Sequence, residues 1–521
     1  MNRAATHELA LLAVILLAGA LLRYHRCGIE PVSLDEMWHL ALSTGRGSPQ
    51  MTLPRNELLE NLPSITDLAD ALPWWRIPLN FGEATHPPLH VLLLRAWREL
   101  FGSGDLAAQY SSVVASLAAV VLLWLAARES FGPEAGLWSA GIMAAAPTQL
   151  YMSQEIRAYS LLVALSGWLL WVTARIIQRG VTRGRLLELA LVSLALLMTH
   201  YFAAPAVAVV GIYLFLRLRT GQKRQAGGHW RVAIAVGLAG AIFAVAWMPA
   251  FARQWQFVVS AGESFLKEPA ENAQALALIR FALLPVRLVA EMPLSSAGWV
   301  VLGIAWYLLP LVLLKRSAIA SLWLAWLAVG TGLLLALDLA RSTRHLVFIR
   351  YAMLASPALY ALSVASFFCL APWIGRLGSA AVVTFALLML PTAYTADTPG
   401  YDLFRAHLAE QLGPNDVLII YSGASSELHM ESLLLAASRN PALWPRPVVL
   451  LTRPADAALS ARLSGRRALV LSGPLSQPLD TILPAVVLGQ TDVFDRAGRH
   501  MATFTRALIG AAGYDRAGSP D

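Results

Sequence analysis

Apolar runs close to the length that crosses about 30 Å of hydrocarbon recur along this chain from Leu9 to Tyr394, separated by breaks rich in arginine or proline. Each run reads as a helical membrane span. Hydrophobic residues make up 57% of the 521 and charged residues only 14%, against about a quarter in soluble domains. Water is therefore not the main solvent of the first three quarters of the chain.

Eleven spans are expected, at about 8–23, 107–127, 135–152, 157–177, 186–199, 202–216, 231–250, 297–314, 318–338, 351–370 and 378–394. The first is retained, because no small-residue cleavage pattern precedes Arg23. With the N-terminus cytoplasmic, the inner breaks collect Arg128, then Arg175 to Arg185, then Arg217 to Arg231, then Lys315 and Arg316, then Arg376. That is the positive-inside pattern. Arg23, Arg26, Arg341, Arg344 and Arg350 fall on the outside and invite a functional reading. The stretch 276–290 would break the parity of crossings. Its Arg280 and Arg287 share one face, so it is expected as an amphipathic surface helix.

Two parts follow: a membrane domain at 1–398, with a long outer loop at about 24–106, and a soluble domain at 399–521. In the second, DVLIIY (416–421), PVVLL (447–451) and ALVLS (468–472) alternate with helical patterns, giving a small α/β domain outside the membrane. Trp74 and Trp75 suit anchoring of the outer loop at the interface. The net charge of +8 is spread over span ends rather than gathered on a stripe, which excludes nucleic acid as the partner. Cys27 and Cys369 fall on opposite sides of the bilayer and do not pair. With no CxxC, HExxH or Cys/His cluster, a thiolate zinc site is excluded.

Five polar clusters lie at outer span ends, where a charged group can face water instead of lipid. The first is SLDEMWHLA, with Asp35, Glu36 and His39, and Ser33 suited to cap a helix. The second is GEATHPPLHVLLLRAW (82–97), where Glu83 and His86 precede a proline-started helix. The third is YMSQEIRAYSLL (151–162), with Glu155, Arg157 and Tyr159, and the fourth is THYFAAP (199–205), with His200 and Tyr201. The fifth is TRHLVFIRYAMLASPAL (343–359), with Arg344, His345, Arg350 and Tyr351. A transfer reaction needs a carboxylate to take the acceptor's proton and cations to hold a leaving phosphate, and this set contains both. Guanidinium groups suit the second task through bidentate hydrogen bonds.

The LDE of the first outer loop, THPPLHVLLLRAW, SQEIRAYSLL, THYFA and RYAMLASPAL together resemble glycosyltransferase family 39. These are GT-C enzymes, alongside protein O-mannosyltransferases and lipid A aminoarabinose transferases. The likeness runs in order over about residues 30–360. It implies an all-α polytopic GT-C fold and a polyprenyl- or dolichyl-phosphate sugar donor attacked with inversion at the anomeric carbon. It also implies Asp35 as general base, with Glu36 as helper. Glu83 and His86 become donor or metal contacts, Glu155 the acidic position of the next junction, and Arg350 the holder of the donor phosphate. Arg157 and His200 are further carry-overs, and Tyr201 and Tyr351 neighbour them. His86 stands where some relatives have Lys or Arg, which would make phosphate binding there depend on pH.

No cofactor is called for by these residues. A divalent metal is left open, with Glu83 and Glu155 as the carboxylates available to it. The expected partners are a polyprenyl-phosphate sugar and a lipid, protein or glycan acceptor. The expected location is a bacterial inner membrane, with the C-terminal domain periplasmic. The rival reading is a transporter or flippase of lipid-linked saccharides. It would place its polar groups near the midplane and show repeated halves, whereas these acids sit at outer ends.

Overall fold

A computed structural model describes residues 3–25, 27–28, 32–48, 54–60, 65–82, 84, 86–220, 227–257, 266–268, 270–290, 296–391, 401–421, 447–472, 482–494 and 500–510. The chain divides into two compact units, Met1–Ile29 with Phe81–Ala396, and Glu30–Asn80 with Asp397–Asp521. This differs from the expected division. Most of the outer loop groups with the C-terminal residues instead of with the helices.

The first unit is helical, and the described residues of the eleven expected spans fall on helices, with 392–394 outside the described residues. Among the described residues, seven helical stretches are long and apolar enough to cross a membrane: Ala5–Tyr24, Asp105–Phe131, Tyr159–Arg179, Ala203–Thr220, Gly228–Gln256, Ala320–Arg341 and Ile349–Leu370. Ala297–Leu313 and Pro372–Leu388 are apolar but shorter. Pro133–Ala145 and Arg183–Leu197 have 13 and 15 residues. Small residues let these helices approach closely. A Cβ at Gly303 would stand 1.9 Å from the Ala282 carbonyl oxygen, and one at Gly167 would stand 3.2 Å from Leu122.

The span expected at 135–152 is broken. Helix Pro133–Ala145 stops at Ala146, which is extended (φ −61°, ψ 119°), and Pro147 opens the helix Pro147–Gln154. The residue before a proline avoids the helical region, and proline has no N–H with which to continue the ladder. The carbonyls released there are taken up by Arg23. Its guanidinium is fully buried and donates to the carbonyls of Ala144 (3.0 Å), Met143 (3.3 Å) and Gly19 (3.0 Å), and its Nε donates to Ser116 Oγ (2.9 Å). A basic residue on the unexpected side is thus explained by backbone that would otherwise lie unsatisfied in an apolar setting. Arg26 lies outside the described residues.

The helix Ala273–Val289 is a correction. It was expected to lie on the surface, but Leu283 to Val286 and Leu288 to Ala290 are buried. Arg287 donates to the carbonyls of Leu346 and Val347, both at 2.7 Å, so its charge serves a buried turn. Only the first half keeps an exposed apolar face, at Leu278 and Ile279, with Arg280 paired to Glu268 at 2.8 Å.

Among the described residues, the second unit holds a six-stranded sheet. Its strands are β1 (Leu58–Leu59), β2 (Val417–Tyr421), β3 (Val448–Leu451), β4 (Arg467–Ser472), β5 (Ala485–Phe494) and β6 (His500–Ile509), in the order β1-β3-β2-β4-β6-β5. The three strands anticipated in the sequence form its parallel centre. All five residues of β2 are buried, as a parallel strand covered on both faces requires. The outer loop supplies β1, antiparallel to β3 with Leu58 opposite Val449. Asn56 clamps that edge by donating to Thr452 Oγ1 (2.9 Å) and accepting from Thr452 N (3.0 Å). Trp74 and Trp75 are 58% and 56% exposed in the same unit.

Candidate active site

Four turns at helix ends of the first unit bring their polar side chains together. His86 precedes Pro87 and Pro88, which start the helix Leu89–Phe101, and Leu89 N donates to Met198 O at 3.0 Å. That bond ties the His86 segment to the turn that carries His200. Glu155 and Arg157 lie in the turn before the helix Tyr159–Arg179, where Arg157 N donates to Glu155 O at 2.8 Å. Arg350 and Tyr351 belong to the 3-10 segment Ile349–Ala355.

The His86 and His200 ring centroids are 4.7 Å apart, and the Tyr159 ring is 6.0 Å from His200. Arg157 lies over Tyr159, its Cζ 5.3 Å from the ring centre, and Nη2 donates to the tyrosine hydroxyl at 3.3 Å. His90, one helical turn beyond His86, is buried near the same guanidinium. Burial first, and the Arg157 charge second, holds both His90 and His200 down to about 3. Both rings are neutral at physiological pH.

The tautomer of His200 follows from its neighbours. Nδ1 accepts from Phe202 N at 3.1 Å, so the proton sits on Nε2. That Nε2 is buried and has no hydrogen-bond partner among the described residues. A buried donor left in this state costs about 1–3 kcal/mol, which an incoming acceptor would recover.

The cluster extends through rings to the fifth motif. Phe202 stands 5.2 Å from His200 and 5.7 Å from Tyr351, and the Arg350 Cζ lies 5.5 Å from the Tyr351 ring centre and 5.0 Å from that of Phe348. His86, Arg157, His200, Arg350 and Tyr351 are thus linked side by side, with Glu155 half-buried in the Arg157 turn. Tyr201 turns elsewhere. Its hydroxyl donates to Gln254 and accepts from Trp247 Nε1 at 2.8 Å, fastening the turn to the helix Gly228–Phe257.

Asp35 and Glu36 belong to the second unit. Glu36 is committed to a capping box: its carboxylate accepts from Ser33 N at 2.7 Å, and Glu36 N donates to Ser33 Oγ at 3.4 Å. Asp35 is half-buried in the same first turn. Glu83 lies outside the described residues. Among the described residues no group of three or more His, Cys, Asp or Glu is arranged to hold a metal ion.

Two residues of this region escaped the sequence reading. His90 sits inside an apolar helix start, and Asp338 ends a span. The signal for Asp338 was present, since an acid within an apolar run is rare unless it has work to do.

Residues 85–248 match the family signature described as dolichyl-phosphate-mannose-protein mannosyltransferase. No curated protein matches the sequence. Among solved structures, ArnT from Cupriavidus metallidurans bound to undecaprenyl phosphate superposes with a TM-score of 0.55 at 14% identity, covering 99% of either chain. The Archaeoglobus fulgidus oligosaccharyltransferase, in complex with zinc and sulfate, gives 0.47 at 12% identity over 89% of this chain and 67% of that one. The S. cerevisiae Pmt1–Pmt2 protein O-mannosyltransferase complex bound to the sugar donor gives 0.36 at 16% over 53% and 36%. The chain carries a glycosyltransferase signature on a GT-C fold. Within this GT-C frame, the matched segment contains His86, His90, Glu155, Arg157, Tyr159 and His200, while Asp35, Arg350 and Tyr351 fall outside it.

Proposed function

We propose that this GT-C protein moves a sugar from a polyprenyl-phosphate donor to an acceptor hydroxyl, with inversion, at the outer face of a bacterial inner membrane. The single observation that carries the reading is the buried His200 Nε2–H, left without a partner beside Arg157 and His86. A phosphate oxygen is the acceptor that suits a fixed N–H donor flanked by a guanidinium. Arg157, His200, His86 and Arg350 hold the donor phosphate in this reading. As the anomeric C–O bond breaks, its electron pair passes to the phosphate oxygen they stabilise. Asp35 takes the proton of the attacking hydroxyl. Glu36 helps only by fixing the turn that carries Asp35, because its own carboxylate is occupied by Ser33. The N-terminus is cytoplasmic and the C-terminal sheet periplasmic, as the distribution of arginines supports.

The test is release of polyprenyl phosphate from a panel of polyprenyl-phosphate sugars by purified protein in nanodiscs, compared with Asp35→Asn and Arg350→Gln. Release that disappears in both variants supports the reading. Release unaffected by either would sink the site assignment. Movement of labelled lipid-linked saccharide across the bilayer without release would favour the transporter reading instead.

A further inference from the structure

The helices Ala203–Thr220 and Gly228–Phe257 adjoin at the ends away from the His200 turn. There the Phe215 ring centroid lies 5.4 Å from that of His229 and 5.3 Å from that of Trp230, so the last turns of one helix stand against the first turn of the other. Each helix carries an exposed apolar stripe that meets an exposed arginine at this end. On the first, Ile212, Leu216 and Arg219 follow one another at i, i+4 and i+7. On the second, Arg231, Ile234 and Leu238 stand at i, i+3 and i+7, and Val245 extends the stripe. From Arg231 to Val245 the helix rises about 21 Å, enough to line one leaflet of a hydrocarbon core about 30 Å thick.

Charge separates this surface from the other exposed apolar stripes. The carboxylates on the arginine-rich side are engaged elsewhere: Glu8 with Arg128 (2.7 Å), Glu134 with Arg376 (2.9 Å), Glu129 with Arg179 and Glu188 with Arg175. Arg185 donates to the carbonyls of Arg179 and Gly180. Arg217, Arg219 and Arg231 are exposed, and none of their guanidinium groups has a hydrogen-bond or ion-pair partner among the described residues. Cations on adjoining turns repel one another unless an anion comes between them. A guanidinium meets a phosphodiester through paired N–H bonds. Trp230, 60% exposed, supplies an indole of the kind that sits at the level of lipid headgroups. With those carboxylates engaged, a headgroup that carries an ammonium finds no described acid to pair with it, so a lipid of net negative charge is favoured over a zwitterionic one.

We infer that these adjoining helix ends bind an anionic phospholipid of the bilayer: Arg219 and Arg231 hold its phosphate beside Trp230, and its acyl chains lie along the two apolar stripes. Arg217 adds positive charge at the rim. The helices joined in this way are the two that hold the turn of His200 at their far ends. Ala203 follows that turn directly, and Trp247 and Gln254 fasten Tyr201.

The experiment is a lipid titration of the full-length protein in detergent, read by native mass spectrometry, with dioleoylphosphatidylglycerol and dioleoylphosphatidylcholine as probes of identical chains. The wild type should bind the phosphatidylglycerol about thirtyfold more tightly, the scale of two basic residues beside a charged headgroup. Arg219→Gln combined with Arg231→Gln should bring that preference to within about threefold. Arg3→Gln combined with Arg253→Gln removes the same charge from two other exposed arginines and should leave the preference unchanged. Equal affinity of the wild type for the two lipids would overturn the inference, and so would a preference that survives the loss of Arg219 and Arg231. A preference lost equally in both double variants would also overturn it, because net charge and not this surface would then be the cause.

Discussion

His86 and His200 meet with ring centroids 4.7 Å apart although six helices separate them in the chain. Their contact, and the bond from Leu89 N to Met198 O, join the start of one helix to the turn before another. Arg157 closes the group from a third turn. Such a convergence of imidazoles and a guanidinium is repulsive when empty if the rings are charged. The fold avoids this by keeping His90 and His200 neutral.

Removal of a single member should be felt in turnover more than in folding. Arg157→Gln or His200→Phe is expected to lower kcat/KM for polyprenyl-phosphate sugar by about a hundredfold, the scale seen when one preorganised donor to a developing oxyanion is lost. Steady-state release of polyprenyl phosphate measures it, with circular dichroism as the check on folding. Tyr201→Phe, whose hydroxyl serves Gln254 and Trp247, should leave kcat within about twofold and lower thermal stability instead.

Acid should destabilise the helical unit through His90 and His200, and His90 illustrates the sign. Its ring is held at about 3 in the folded protein against 6.5 for a free imidazole. The unfolded chain therefore binds a proton that the folded one refuses. Stability is complete above about pH 6.5 and is lost progressively as pH falls toward 3. Thermal midpoints taken between pH 7.5 and 4.5 should fall, and His90→Gln should remove about half of the fall, because His200 is held down equally and carries the rest.

Arg23 should be among the most sensitive structural positions. Arg23→Met leaves the Met143 and Ala144 carbonyls and Ser116 without their donor, and a loss of about 3 kcal/mol is expected, as for other buried charged networks broken at one partner. Arg23→Lys should recover only part, since one ammonium cannot reproduce a guanidinium that bonds through Nε, Nη1 and Nη2. Chemical or thermal unfolding in detergent measures both.

The first turn of Leu34–Leu42 separates a structural role from a chemical one. Ser33→Ala should cost about 1 kcal/mol by removing the cap and leave the wild-type activity largely intact. Asp35→Asn should do the reverse, abolishing turnover while the thermal midpoint stays within a degree or two of the wild type.

Much of the helical unit was legible because apolar runs in a membrane chain admit few readings. The break at Ala146 was also written in the sequence, as Pro147, but the apolar run Ile142 to Ala146 before it and Leu150 to Met152 after it masked it. Ala273–Val289 was misjudged for an identifiable reason. Two arginines on one face signal water or headgroups, whereas Arg287 spends its donors on backbone carbonyls, which leave no mark in a sequence. The parallel strands β2, β3 and β4 were legible as short apolar runs. The two residues of β1 are too few to carry any periodicity. At the site, His86, Arg157, His200, Arg350 and Tyr351 stood out as polar groups at span ends. What the sequence could not show was which of them share rings and which, like Tyr201 and Glu36, are already engaged.

Leu58–Leu59 and Val448–Leu451 are neighbours in one hydrogen-bonded sheet. A sheet cannot be laced through a bilayer, so both segments must reach the same compartment, and the chain between them must cross an even number of times. Ten of the eleven expected spans lie between them. A ribosome makes β1 long before β3, and the earlier segment waits while every crossing is inserted. If one helix fails to insert, the two segments finish on opposite sides and the edge strand has nothing to join. Completion of this sheet therefore requires an even number of crossings between the two segments, and a chain with an odd number would leave the β3 edge unpaired.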